Sequence, residues 1–140
     1  VVTAMSAPDL QAFLAREFPD IDRLGILVER VDERSITLRL PAESAMIRPG
    51  GTISGPTMFS LADVTVWLLI LAQIGPVALA VTTSVGMNFL RKPPPGDLVA
   101  EGELLKLGRR LAIGHVRLHA EGSRDLVADA SITYSIPPRG

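Results

Sequence analysis

One carboxylate stands alone in the middle of this chain. Between Arg48 and Arg91 the only ionisable side chain is Asp63. It lies in the run Thr57-Met58-Phe59-Ser60-Leu61-Ala62-Asp63-Val64-Thr65-Val66-Trp67-Leu68-Leu69-Ile70-Leu71-Ala72, which is apolar nearly all the way round a helix. A carboxylate in such a helix is costly to desolvate without partners. It needs either a hydrogen-bond network, from hydroxyls such as Ser60 or Thr65 or from a partner chain, or a chemical role. That role would be general base or nucleophile in a dry pocket. Eight residues earlier comes Gly55-Pro56, with Ser54 or Thr52 available as a helix cap. The unpaired N–H groups of a helix start form a site for an anion or a polarised carbonyl, and a glycine there lets a ligand approach the backbone. The same pair also suits an ordinary tight entry into a helix. The spacing places Asp63 on roughly the same side as Gly55, about 12 Å further along.

Other polar groups fall into three sets. Thr82, Ser84 and Asn88 share one face of the following extended segment, with Thr83 opposite, where they either hold a carboxylate or water or bond across strands. His115 and His119 alternate with Arg117 against an apolar face of Val116, Leu118 and Ala120, which reads as a solvated or subunit-facing surface. Arg91-Lys92 and Arg109-Arg110 are either solvated charges or a grip on a phosphate.

At 140 residues the chain is expected to form one domain, 1–140, with a sizeable core. A net charge of −1 and 4% aromatic residues argue against a nucleic-acid partner. The absence of cysteine excludes a disulfide framework, a thiolate nucleophile and a Cys-ligated zinc, and fits a reducing, cytoplasmic setting. Gly75-Pro76 interrupts the apolar run, so it reads as core rather than as a membrane span.

The elements that must position these groups follow from periodicity. Ser6-Ala7-Pro8-Asp9 starts a helix whose stripe is Leu10, Phe13, Leu14 and Phe18, ended by Pro19, so that 1–20 is an N-terminal helical segment. Leu24 to Val31 and Ile36 to Leu40 form a hairpin around Asp32-Glu33-Arg34, and Pro41 to Gly51 is a loop. The central helix spans 54–74. Strands then cover Leu79 to Leu90, Asp97 to Leu107, Arg110 to Ala120 and Leu126 to Ile136, joined by short turns. The expected class is α+β, an antiparallel sheet curled around one long helix. One sheet covers only part of such a helix, so a second subunit or loops must cover the rest.

These residues resemble the hotdog-fold acyl-CoA thioesterases, most nearly those of the phenylacetate-pathway type. The resemblance lies in Gly51-Thr52-Ile53-Ser54-Gly55-Pro56 with Leu61-Ala62-Asp63, in Ser84-Val85-Gly86-Met87-Asn88-Phe89-Leu90-Arg91, and in Gly96-Asp97-Leu98-Val99-Ala100 with the closing strand. It implies a hotdog fold assembled as a homodimer or homotetramer with active sites between subunits. It implies hydrolysis of an acyl-CoA or related acyl thioester without metal or redox cofactor, and without a nucleic-acid or membrane partner. The helix-start N–H would fall to Gly55, the attacking or water-activating carboxylate to Asp63, and an assisting hydroxyl from the neighbouring subunit to Ser84, with Thr83 or Thr82 as alternatives. Substrate contacts would come from Ser54, Pro56, Arg48 and Thr83, and phosphate contacts from Arg91, Lys92, Arg109 or Arg110. The chain departs from the family at Ser54, where a histidine is usual, at Pro56, where a second glycine is usual, and at Arg48, often asparagine. A non-catalytic acyl-CoA or lipid-binding protein and an acyl-thioester dehydratase or hydratase are the rival expectations.

Overall fold

A computed structural model describes residues 3–42, 47–48 and 52–138. Elements run α1 (Ala7–Glu17), α2 (Pro19–Asp22), β1 (Leu27–Asp32), β2 (Ser35–Leu40), β3 (Ile47–Arg48), β4 (Thr52–Ile53), α3 (Gly55–Ile74), β5 (Val81–Phe89), β6 (Leu98–Leu107), β7 (Leu111–Ala120) and β8 (Leu126–Ser135). Six strands form one antiparallel sheet in the order β1-β2-β6-β7-β8-β5, and β3 pairs with β4 separately. The helix α3 packs against β2, β5, β6, β7 and β8, so the sheet curls round it as a hotdog fold requires.

Composition explains why α3 sits inside. Thirteen of its residues are buried, from Thr57 to Ala72. By length and composition it could cross a bilayer, but 72% of its most apolar stretch is buried within the protein. Two glycines bring the sheet close to it. A Cβ on Gly102 would lie 2.8 Å from Thr65 Cγ2, and one on Gly114 would lie 2.9 Å from both Val66 methyl groups. Alternation does the rest on the sheet side, where Ile36, Leu38 and Leu40 of β2 and Ala128, Ala130, Ile132 and Tyr134 of β8 all face the helix and are buried.

Part of the other side of α3 is covered from within the chain. The helix α1 begins with a capping box between Ser6 and Asp9. Gln11 fastens it to the sheet, donating to the Ile26 carbonyl at 2.9 Å and accepting from the Val28 N–H at 2.8 Å. Ahead of it, the Ala4 N–H donates to the Ala72 carbonyl near the end of α3. Pro19 does more than stop α1. It opens the one-turn helix α2, so the chain turns a corner at Phe18. Phe13 and Phe18 both lie on Trp67 of α3, at ring-centroid distances of 5.8 and 6.0 Å.

The expected loop Pro41 to Gly51 lies largely outside the described residues, but β3 within it pairs with β4, which follows directly after it, in a small two-stranded ladder. Its entry is anchored by Asp97, which accepts from the Ala42 N–H at 2.9 Å and pairs with Arg39 at 3.2 Å. Arg39 also pairs with Glu29 and Glu121.

Candidate active site

The helix start comes first in the chain. Ser54 is the N-cap: its hydroxyl accepts from the Thr57 N–H at 3.3 Å and lies 2.9 Å from the Thr57 hydroxyl. Gly55 and Pro56 fill the first turn, and the Gly55 N–H has no acceptor among the described residues. A Cβ on Gly55 would meet the Phe89 ring only at 3.8 Å, an ordinary contact, and its φ is not in the left-handed region. Nothing in the chain's own packing therefore requires glycine at this position. The side chain of Arg48 lies outside the described residues.

Two turns on, Asp63 is partly buried and carries the network that its isolation demanded. The Thr82 hydroxyl donates to Oδ1 at 2.8 Å. The Tyr134 hydroxyl donates to the same oxygen at 2.9 Å, with the Asp63 backbone carbonyl a second acceptor at 3.1 Å. Oδ2 has no partner among the described residues. Burial, and then the neighbouring Asp63 charge, push the Tyr134 hydroxyl far above its ordinary range, so it remains a proton donor. Ser60 and Thr65 are not the partners, since Thr65 donates instead to the Leu61 carbonyl.

The strand β5 selects among the candidate hydroxyls by an irregularity. Thr82 pairs with Tyr134 and Ser84 with Thr133, so one extra residue, Thr83, is inserted between them. Such a bulge reverses the facing of the residues beyond it. The expectation that Thr82, Ser84 and Asn88 share one face is thus corrected. Thr82 turns inward to Asp63, whereas Ser84 and Asn88 lie opposite Thr133 and Asp129 on the outer face. Thr83 donates to the Thr133 carbonyl. Within one chain, neither Ser84 nor Thr83 reaches Asp63.

Asp63, Thr82 and Tyr134 line a cavity of about 550 Å³, open to solvent. Its walls are otherwise mainly apolar, with Phe18, Ile21, Phe59, Trp67 and Leu79 prominent. The sequence marks Tyr134 only as a position within the last strand, Leu126 to Ile136. The available signal was that a phenol at a buried alternating position needs a partner for its hydroxyl. The basic pairs lie elsewhere: Arg91 and Lys92 follow β5 beyond Phe89, and Arg109 and Arg110 occupy the β6–β7 turn. All four are exposed and none lines the cavity. His115 and His119 pair with Asp129 and Glu101 on the outer sheet face, as their alternation implied.

Comparison with known proteins agrees with this architecture. Residues 50–127 match the thioesterase superfamily. A protein of Pseudomonas aeruginosa named "Putative esterase PA0474" is 32% identical over 135 residues, covering 95% of this chain and 99% of that protein. The crystal structure of a "putative thioesterase" from Silicibacter sp. TM1040 superposes with a TM-score of 0.90 at 45% identity, covering 97% of this chain and 94% of that one. A mutant of the phenylacetic acid degradation protein PaaI from Thermus thermophilus superposes with a TM-score of 0.72 at 26% identity, over 85% of this chain and 99% of that one. With a curved sheet round a single helix, and a helix-borne carboxylate opening on an apolar cavity, the chain belongs to the thioesterase superfamily.

Proposed function

We propose that this protein hydrolyses an acyl-CoA or a related acyl thioester, with Asp63 as general base or nucleophile and the Gly55 N–H as oxyanion donor. The observation that carries the reading is Asp63 itself. Two hydroxyl donors hold Oδ1, while Oδ2 is left without a partner among the described residues beside a mainly apolar cavity. In the water-activating route, Asp63 takes a proton from water as its oxygen attacks the thioester carbonyl. The carbonyl oxygen becomes an oxyanion, the C–S bond breaks, and the leaving thiolate takes up the proton. In the nucleophilic route, Asp63 displaces the thiolate and water then cleaves the resulting anhydride. Backbone donors at the positive end of a helix supply electrostatic stabilisation for either route.

One chain does not bring both groups to one carbonyl, because eight helical residues separate them by about 12 Å. The free edge of β5 supports a remedy. It pairs only with β8 among the described residues, exposes Val81 and Phe89, and has open space at Gly86. An unprotected edge of this length invites pairing with a second copy, and two-fold symmetry would carry the Gly55 of one subunit to the Asp63 of its partner. Thr83 and the cations flanking that edge would then lie at the subunit boundary, beside the substrate of the neighbouring subunit.

The test is thiol release from a panel of acyl-CoAs by wild type and Asp63→Asn. An asparagine can keep its carbonyl oxygen toward Thr82 and Tyr134, so the variant should fold and melt as wild type does. Its turnover should fall by about 10² or more, as for loss of a general base. Binding without thiol release by the wild type would favour a carrier protein, and enoyl hydration without release would favour a hydratase.

A further inference from the structure

The cavity beside Asp63 is larger than a water-activating carboxylate needs, and its far wall comes from an element the chemistry does not use. Phe59, Ser60, Asp63, Val64 and Trp67 present one stripe of α3 to it, with Asp63 at the centre. Trp67 lies one helical turn beyond Asp63, about 6 Å along the axis. There the Phe18 ring stands edge-on to the indole at 6.0 Å and 88°. Phe18 is held by its backbone: its N–H donates to the Leu14 carbonyl, and Pro19 fixes the start of α2 directly after it. The only other ionisable carboxylate on the lining is Glu17, and no cation lines it among the described residues.

We propose that this cavity is the acyl pocket, that it takes an uncharged apolar acyl group, and that Phe18 on Trp67 sets how long that group can be. The inference rests on the thioesterase reading for the reaction at Asp63, but the pocket is defined by its own walls. An acyl carbonyl placed at Asp63 sends its chain toward Trp67, where aliphatic or aromatic carbon meets two ring edges and faces. The volume of about 550 Å³ falls in the range of small-molecule sites. An acyl group ending in a carboxylate would bring a further negative charge beside Asp63 and Glu17, and the neighbouring cation, Arg16, lies off the lining and already pairs with Glu17 at 3.3 Å, which disfavours it. Phe18 is 42% exposed, so trimming it opens the end of the pocket without emptying the core.

Two measurements test this together. The first is the kcat/KM profile over butanoyl-, hexanoyl-, octanoyl-, decanoyl- and dodecanoyl-CoA, with adipyl-CoA against hexanoyl-CoA for charge, in wild type, Phe18→Ala and Phe18→Leu. Phe18→Ala should shift the optimum to longer chains, raising the long-to-short ratio by about tenfold, and Phe18→Leu should fall between. Adipyl-CoA should be at least about tenfold poorer than hexanoyl-CoA. The second uses Trp67, the only tryptophan in the chain. Its emission should respond to the unhydrolysable thioethers S-hexyl-CoA and S-decyl-CoA, with Phe18→Ala tightening the longer one selectively. Hydrolysis with a length profile unmoved in both folded variants would overturn the pocket assignment and leave the thioesterase reading intact. A length-dependent Trp67 response without hydrolysis of any thioester would overturn the thioesterase reading and leave the pocket. Neither response would overturn both.

Discussion

A carboxylate that accepts hydrogen bonds from two hydroxyls on one oxygen is oriented as well as solvated. At Asp63 the donors come from separate strands, Thr82 from the one after the helix and Tyr134 from the last. Tyr134→Phe removes one donor from a group that packing still holds in place. It should lower kcat about tenfold with little change in KM, the pattern expected when positioning in the transition state is lost rather than substrate binding. Its stability should fall by about 1.5–3 kcal/mol, the usual scale for a hydrogen bond to a charged group. Steady-state kinetics and melting on one preparation separate the two effects, and a KM-only change would remove Tyr134 from the site. Asp97 makes a prediction of a different kind. The Ala42 N–H, and secondarily Arg39, hold its carboxyl below the ordinary value of 3.8. A lowered folded pKa means that this contribution is present above the ordinary value and is lost as pH falls through the folded one. Melting temperature should therefore drop more steeply below pH 3.8 in wild type than in Asp97→Asn, which has no proton to take up at that position.

At the scale of elements, the distance between α3 and the sheet is set by what β6 and β7 lack. Gly102 and Gly114 sit directly beneath Thr65 and Val66, at separations that no real Cβ tolerates. Neither Thr65 nor Val66 is free to move, since both are fully buried at 0% exposure. Gly102→Ala or Gly114→Ala should each force the helix outward and cost about 1–3 kcal/mol, as overpacking of a filled core does. Because α3 carries both Gly55 and Asp63, the displacement should also lower turnover in the folded fraction. Gly55→Ala is the contrast. Its new methyl meets only the Phe89 ring at ordinary distance, so folding should be kept while any close approach of substrate to the helix start is lost. Thermal melts of the three variants would show the difference, and a destabilised Gly55→Ala would return that glycine to a purely structural role.

For the whole molecule, the decisive length is that of two helical turns. If Gly55 of one subunit serves Asp63 of its partner, defects in the two groups complement each other. Gly55→Pro deletes the N–H at a position where proline is welcome, beside the existing Pro56. Mixed dimers of Gly55→Pro with Asp63→Asn would hold one intact site and one doubly defective site. Co-refolded mixtures should recover about half the wild-type activity per mixed dimer, although each parent is nearly inactive. Recovery absent from verified mixed dimers would mean that each chain completes its own site. If two copies pair along β5, Gly86→Lys would place like charges across that edge and should yield monomers by light scattering, with activity lost in step.

Much of this was written locally. The period of two in β2 and β8, the period of 3.6 in α1, and an unbroken apolar run ending at Gly75-Pro76 are set by neighbours in the chain, so the fold and the central helix were legible from residues alone. Asp63 stood out for the same reason, as the only charge in that run, and Gly55 because it opens the helix. What the sequence left open was which of its alternatives met. A single inserted residue at Thr83 decides whether Thr82 or Ser84 faces the carboxylate, and no local pattern marks a bulge in a strand of threonines and serines. Tyr134 stands 71 residues from Asp63 and meets it only because β8 pairs with β5 across the sheet. Phe18 reaches Trp67 only because Pro19 turns the chain at the end of α1. Local periodicity selects elements, since it depends on how one stretch divides its faces between water and core. The partners of a buried polar group depend on register and packing between distant stretches, which the tertiary fold alone brings together.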